Sequence, residues 1–224
     1  PVSRGLGDVY KRQEDNLSQA WSESNDMLHL SHEMFNDAVE ALRSGEKNKV
    51  LKSIKLRDEK INDYHREIRK KVVTYYSVSK DVTNIDSGLV LINTVVDIER
   101  IGDYSKNILD LAKHYPKKFI AEKFSNDLRT IEETVIDRFS STIKAVENMD
   151  ENLADELIAS YRNDLGKISD KLVAASISGD VEIGKENKTA SVALYARYLK
   201  RIGAHLKNIT SLVVNPFESI GYIK

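Results

Sequence analysis

The chain has no cysteine, only three prolines, and no apolar run of the ~18 residues that a bilayer-spanning helix requires. The first absence excludes disulfides and thiolate metal sites. The second, with ten glycines in 224 residues, leaves few turn signals and points to long helices with short joints. The longest apolar stretch, residues 87–96, is cut off by Asp97-Ile98-Glu99-Arg100. Charge of one sign is lacking too. A net charge of −1 lacks the basic excess expected of a chain whose main partner is nucleic acid. What remains, 41% apolar and 31% charged residues, suits an amphipathic helical protein without membrane insertion.

An internal repeat organises the rest. DIERIGDYSKNI (residues 97–108) and YLKRIGAHLKNI (residues 198–209) share R-I-G and K-N-I at the same internal spacing. Arg100, Ile101, Gly102, Lys106, Asn107 and Ile108 fall on Arg201, Ile202, Gly203, Lys207, Asn208 and Ile209. Such self-similarity marks a duplicated unit. Residues 14–116 form the first unit and residues 121–224 the second. Residues 1–13, PVSRGLGDVYKRQ, have no helical stripe, and DVYKRQ matches a translated sequencing adaptor. They are expected to be a non-native scar and are left out of the fold expectation.

From residue 14 the apolar positions step by three and four. Leu17, Trp21, Met27, Leu28, Met34, Phe35, Val39 and Leu42 make one stripe, which Ser44-Gly45 ends. Val50, Ile54, Ile61, Ile68 and Val72 make a second, fraying near residues 76–80. A third helix, capped by Asp86 or Ser87, buries Leu91, Val95, Ile98, Ile101, Gly102, Ile108 and Leu109 and stops at Pro116. Residues 122–148, 151–177 and 186–214 repeat the plan, with joints at residues 149–151 and 178–180 and a stop at Asn215-Pro216. The expectation is an all-α protein of six long helices in two tandem three-helix bundles. Gly102 and Gly203 fall on the buried stripes, where a missing side chain lets a neighbouring helix approach.

Beside those stripes lie rows of carboxylates. Glu99 and Asp103 are one turn apart on the third helix, and Glu59, Asp63 and Glu67 repeat at four-residue steps on the second. Were the two helices antiparallel neighbours, four or five carboxylates would converge on one surface. Like charges so spaced destabilise a helix unless something compensates. Lys60, Arg66 and Arg100 are candidates, and a bound cation is another, since oxygen-only donors suit magnesium, calcium, manganese or bridged iron. Aligning Leu172 on Ile68 puts Asn163, Lys167 and Lys171 where the first unit has Glu59, Asp63 and Glu67. Lys200 and Ala204 replace Glu99 and Asp103. Loss of the acids as a set predicts a cation site in the first unit and none in the second, with Lys167 or Lys200 supplying positive charge internally.

The segment DIERIGDYSKNI resembles the signature of the PhoU family of phosphate-uptake regulators, over a span from about residue 14 to the NPFESIGY ending. The resemblance implies two three-helix repeats bearing E/D-x-x-x-D motifs that hold iron or other multinuclear clusters. Carried over, the metal ligands are Glu59, Asp63, Glu99 and Asp103, with Glu67 and Asp97 as further members. It also implies a cytoplasmic regulator rather than an enzyme. Its partners would be a phosphate transporter (an ABC permease or a sodium–phosphate cotransporter) or the associated sensor kinase. A homodimer fits long amphipathic bundles.

Two other readings stand beside this one. A ferritin-like carboxylate-bridged metalloenzyme wants Glu-x-x-His on two helices, and the nearest pattern is the single Asp26-Met27-Leu28-His29. A metal-free helical adaptor would leave the carboxylates solvated. His29 and His32 at i, i+3 read as helix-surface residues, His65 as a hydrogen-bonded packing residue, and His205, opposite Tyr104 in the repeat, as packing. Tyr75, Tyr76, Tyr195 and Tyr198 read as core or helix-edge residues rather than a docking patch. No phosphate-binding glycine loop and no nucleophile elbow occurs.

Overall fold

The computed structural model describes residues 3–45, 47–79, 85–115, 119, 125–178 and 188–214, with side chains from residue 16 onward except 47–51 and 188. Its helices are α1 (Ser3–Ser44), α2 (Lys47–Ser79), α3 (Ile85–His114), α4 (Ser125–Asn148), α5 (Glu151–Tyr161), α6 (Lys167–Ser178) and α7 (Lys188–Ser211). A π-helical turn, Arg162–Gly166, joins α5 to α6, so those two form the single long rod expected from the sequence, interrupted in the middle. The described residues contain no strand. The fold is all-α, in two groups of three rods.

Side-chain pairs set the directions. Ile61 faces Gly102 and Tyr76 faces Gly88, while Asp58 meets Lys106, so α2 and α3 are antiparallel. Arg57 reaching Glu33 and Asp37, and Lys71 reaching Glu23, make α1 and α2 antiparallel. In the second group Leu165 faces Gly203 and Ser169 donates to the Ala196 carbonyl at 2.9 Å, repeating the α2–α3 arrangement. The groups meet along α3 and α7, where Asp97 accepts from His205 and Asn208, and along α1 and α4, where His29 meets Glu147.

The stripes read from the sequence are the core. Met27, Met34, Phe35, Ile54, Ile61, Ile68, Leu91, Ile98, Ile131, Phe139, Ile202 and Ile209 are all buried, in one cluster that continues from one bundle into the other. Helix termini follow local chemistry. Gly45 ends α1 with φ 78°, which a side chain would resist. Asp150 caps α5 by accepting from the Leu153 N–H at 3.1 Å. The cap expected for α3 is different: the helix begins at Ile85, so Asp86 and Ser87 lie in its first turn, where Asp86 meets the positive end of the dipole. The α1 backbone is helical from Ser3, through residues whose pattern carries no stripe. The expected joint at 178–180 beyond Ser178, the stops at Pro116 and Asn215-Pro216, and the ending NPFESIGY lie outside the described residues.

The two matched glycines are not equivalent. A Cβ on Gly102 would sit 3.5 Å from Ile61 Cδ1, an ordinary contact, whereas one on Gly203 would overlap Leu165 Cδ2 of the π-turn. Gly102→Ala is therefore expected to be tolerated or to stabilise by about 0.5–1 kcal/mol through helix propensity. Gly203→Ala is expected to cost about 1–3 kcal/mol by overpacking a fully buried contact. Urea unfolding of the two variants checks this; equal effects would mean that Leu165 moves aside freely.

Candidate functional site

The expected ridge does not gather as the spacing suggested. Glu59, Asp63 and Glu67 are 59%, 66% and 57% exposed, and each pairs with a base of its own helix: Lys55, Arg66 and Lys70. Arg66 thus compensates as expected, whereas Lys60 lies over the Tyr64 ring, 5.5 Å from its centre. Among the described residues, no three histidine, aspartate or glutamate side chains are arranged to hold a metal ion. Asp97 sits elsewhere, between the bundles, accepting from His205 Nδ1 at 2.6 Å and Asn208 Nδ2 at 3.2 Å.

The residue that α2 presents to α3 is Asp58. It lies four residues after buried Ile54 and three before buried Ile61, which turns it inward, while Glu59 is rotated by one further step of about 100° toward solvent. Lys106 Nζ stands 2.9 Å from both Asp58 and Asp103 and bridges the two helices. Burial alone would pull the ammonium down, but its hydrogen bonds to the two carboxylates prevail and hold it above its ordinary value. Arg100 adds contacts of 3.7 Å to Glu99 and 3.3 Å to Asp103. A protein ammonium therefore occupies the position between carboxylates that a cation would take. The donor set fits a metal only if Lys106 swings out. The first repeat thus carries an internal positive charge of its own.

Glu99 is the strained member, 21% exposed. Burial pushes its carboxyl above the usual range, Asp103 and Asp58 push the same way, and Arg100 and Lys106 oppose them. A carboxyl raised in this way binds its proton more tightly in the folded chain. Its charge then costs stability above the raised value, and the cost is gone below the ordinary value of 4.5. Glu99→Gln is expected to raise Tm at pH 7 and to leave it unchanged well below 4.5. If a cation held by Glu99 stabilises the purified protein, the same substitution lowers Tm at pH 7 instead. Thermal melting with and without chelator separates the two.

The histidines are not ligands of one centre. His29 meets Glu147 at 2.7 Å, and His32 stacks on Phe139 with ring centres 4.6 Å apart. His65 departs from expectation: its Nε2 is buried with no hydrogen-bond partner among the described residues. Burial, and then Arg69, Arg100 and Arg66, hold it below its ordinary value and favour the neutral ring. His205 packs 5.9 Å from Tyr104, as the repeat suggested, and adds the Asp97 bond. Tyr195 is wholly buried and Tyr76 is packed against the core, so neither forms an exposed patch.

Two buried polar clusters had no signal in the sequence. Glu132 of α4 takes hydrogen bonds from Arg43 of α1 at 2.8 Å and from Tyr195 of α7. Arg138, 4% exposed, donates to the Leu157 carbonyl and, at 2.8 Å, to Ser160 Oγ, and stands 3.6 Å from Asp164. Both tie elements together rather than forming a reaction centre.

Comparison with known proteins places this geometry. Residues 25–112 match the PhoU domain family model. The fold is similar to the crystal structure of PhoU from Pseudomonas aeruginosa, with TM-score 0.78 and 21% identity over 90% of this chain and 96% of that one. It is also similar to the phosphate transport system regulatory protein PhoU from Streptococcus pneumoniae, with TM-score 0.72 and 16% identity over 90% and 95%. No curated protein sequence matches the chain.

Proposed function

We propose that this chain, whose residues 25–112 match the PhoU domain family model, regulates phosphate transport by docking, without catalysing a reaction of its own. The family match over residues 25–112 carries this reading. It is supported by the likeness of nearly the whole fold to a protein described as a phosphate transport system regulator. The docking partner is a phosphate transporter, an ABC permease or a sodium–phosphate cotransporter, or the sensor kinase that works with it. The chain acts at the cytoplasmic face of that partner, as a homodimer. No described helix is long and apolar enough to cross a membrane, which is consistent with a docking subunit. Co-isolation of the tagged chain with a detergent-solubilised phosphate transporter of its own cell is the test. Recovery of the transporter is expected, and its absence under both phosphate-rich and phosphate-poor growth would defeat the docking proposal.

A second reading, a divalent or ferric ion at Glu99 and Asp103 with Glu59 and Asp63 closing over it, is favoured by the grouping of Glu99, Asp103 and Asp58 about Arg100 and Lys106. It requires those side chains to leave their present partners. A ferritin-like centre has less support. Such chemistry needs carboxylates and histidines projecting into the bundle interior, and the described interior of the first bundle is lined by Ile54, Ile61, Ile68, Leu91, Val95 and Ile98. Metal analysis of the purified chain and of a Glu99→Ala, Asp103→Ala variant tests the ion; equal metal content in both would remove it.

A further inference from the structure

The alignment that sets Lys106 on Lys207 and Ile68 on Leu172 also sets Asp58 on Arg162 and Asp103 on Ala204. In the first repeat Lys106 is held between its two aspartates. In the second, both aspartates are gone, and a guanidinium stands at the position of one of them. Lys207 pairs with no carboxylate among the described residues. Its ammonium lies over the Tyr161 ring, 5.7 Å from the centre, and burial pulls it below its ordinary value.

These residues line a cavity of about 190 Å³ between the π-turn and α7, bounded by Tyr161, Arg162, Gly166, Lys167, Asp170, Lys200 and Lys207. Four cations face it against one carboxylate, and that carboxylate, Asp170, is already paired with Lys200. Among the described residues, three positive groups are left without a counter-charge. The corresponding positions of the first repeat carry Arg57, Arg66 and Lys106 with Asp58, Asp63 and Glu99, three bases against three acids. There Lys106 is neutralised by Asp58 at 2.9 Å, and Arg66 is paired with Asp63. The same place in the fold is thus self-compensated in one repeat and strongly cationic in the other. The π-turn contributes Arg162 and Gly166, with Lys167 directly after it, and such interruptions recur at functional sites.

We infer that this cavity binds a phosphoryl dianion, free or carried on a small molecule, through Lys207, Arg162 and Lys167. The lining offers separated donors and an excess of positive charge, which suits a small tetrahedral dianion better than a monovalent ion. Its volume holds a phosphate group with a small substituent and no more of a larger polymer. The inference rests on this charge arrangement and not on the regulatory reading above.

Calorimetric titration of the full chain at low salt tests it, with inorganic phosphate in one arm and glycerol 3-phosphate in the other. Binding in the first arm identifies the free ion, and binding only in the second identifies a phosphate ester. Lys207→Met and Arg162→Gln are each expected to weaken binding about tenfold or more, the loss of one charge-assisted contact. Lys55→Ala in the first repeat leaves it unchanged, and added salt weakens it. Should Lys207→Met fail to fold, Arg162→Gln and Lys167→Gln, both at exposed positions, carry the test. No binding in either arm, or equal binding by wild type and every folded variant, overturns the site.

Discussion

Glu132→Ala is expected to lower the free energy of unfolding by about 3 kcal/mol, because it leaves the buried Tyr195 hydroxyl and the half-buried Arg43 guanidinium without an acceptor. Glu132 is buried, and the Arg43 guanidinium approaches one of its oxygens through both Nε and Nη2 at 2.8 Å. The Tyr195 hydroxyl donates to the same oxygen. Burial first, and then Glu132, push the Tyr195 hydroxyl well above its ordinary value, so it stays protonated and remains a donor. Arg43 is also packed 5.8 Å from the ring centres of both Phe119 and Tyr195. Three helices, one from the first bundle and two from the second, therefore converge on one carboxylate. Tyr195→Phe removes a single donor and is expected to cost about 1 kcal/mol, and Glu132→Gln, which keeps an acceptor, less than Glu132→Ala. Guanidinium unfolding of the set, with a double-mutant cycle through Arg43→Ala, measures the coupling. A loss under 1 kcal/mol for Glu132→Ala would show that water takes over the carboxylate's role.

Arg138→Ala is expected to cost a similar amount, about 3 kcal/mol, for a different reason. The guanidinium lies under α5 at the edge of the π-turn. It supplies the donor for the Leu157 carbonyl and holds Ser160, with Asp164 as its counter-charge. Burial pulls the group below its ordinary value, and Asp164 and then Tyr161 pull the other way. Arg138→Met keeps part of the volume and loses the donors, so most of the destabilisation persists. Hydrogen exchange locates the effect: protection is expected to fall first across residues 157–166. Uniform loss over the whole chain would place Arg138 in the general core rather than at the turn.

Periodicity was a sound guide wherever burial decides the matter. Ile54, Ile61 and Ile68, or Leu91, Val95 and Ile98, must face a partner because leaving such side chains in water costs about 1.5–3 kcal/mol each, and all six are buried. Charges carry no such constraint. Asp58 and Glu59 are neighbours in the sequence, and a rule of four-residue spacing selects Glu59. Only the flanking isoleucines reveal that Asp58 is the one turned toward α3. Arg43, Glu132 and Arg138 carry no local mark in the sequence because their partners lie 89, 63 and 19 residues away. The π-turn left no local mark, and its clearest trace is the contrast between Gly102 and Gly203, which needs coordinates to see. The loss of acids from the second repeat was visible from alignment alone. Its consequence, a cationic cavity around Lys207, was not.

Phosphate uptake in cells from which this chain has been deleted tests the regulatory account most directly. After a shift from phosphate-poor to phosphate-rich medium, uptake of labelled phosphate is expected to stay high without the chain and to fall again when it is restored. Uptake that falls equally with and without the chain would contradict the account.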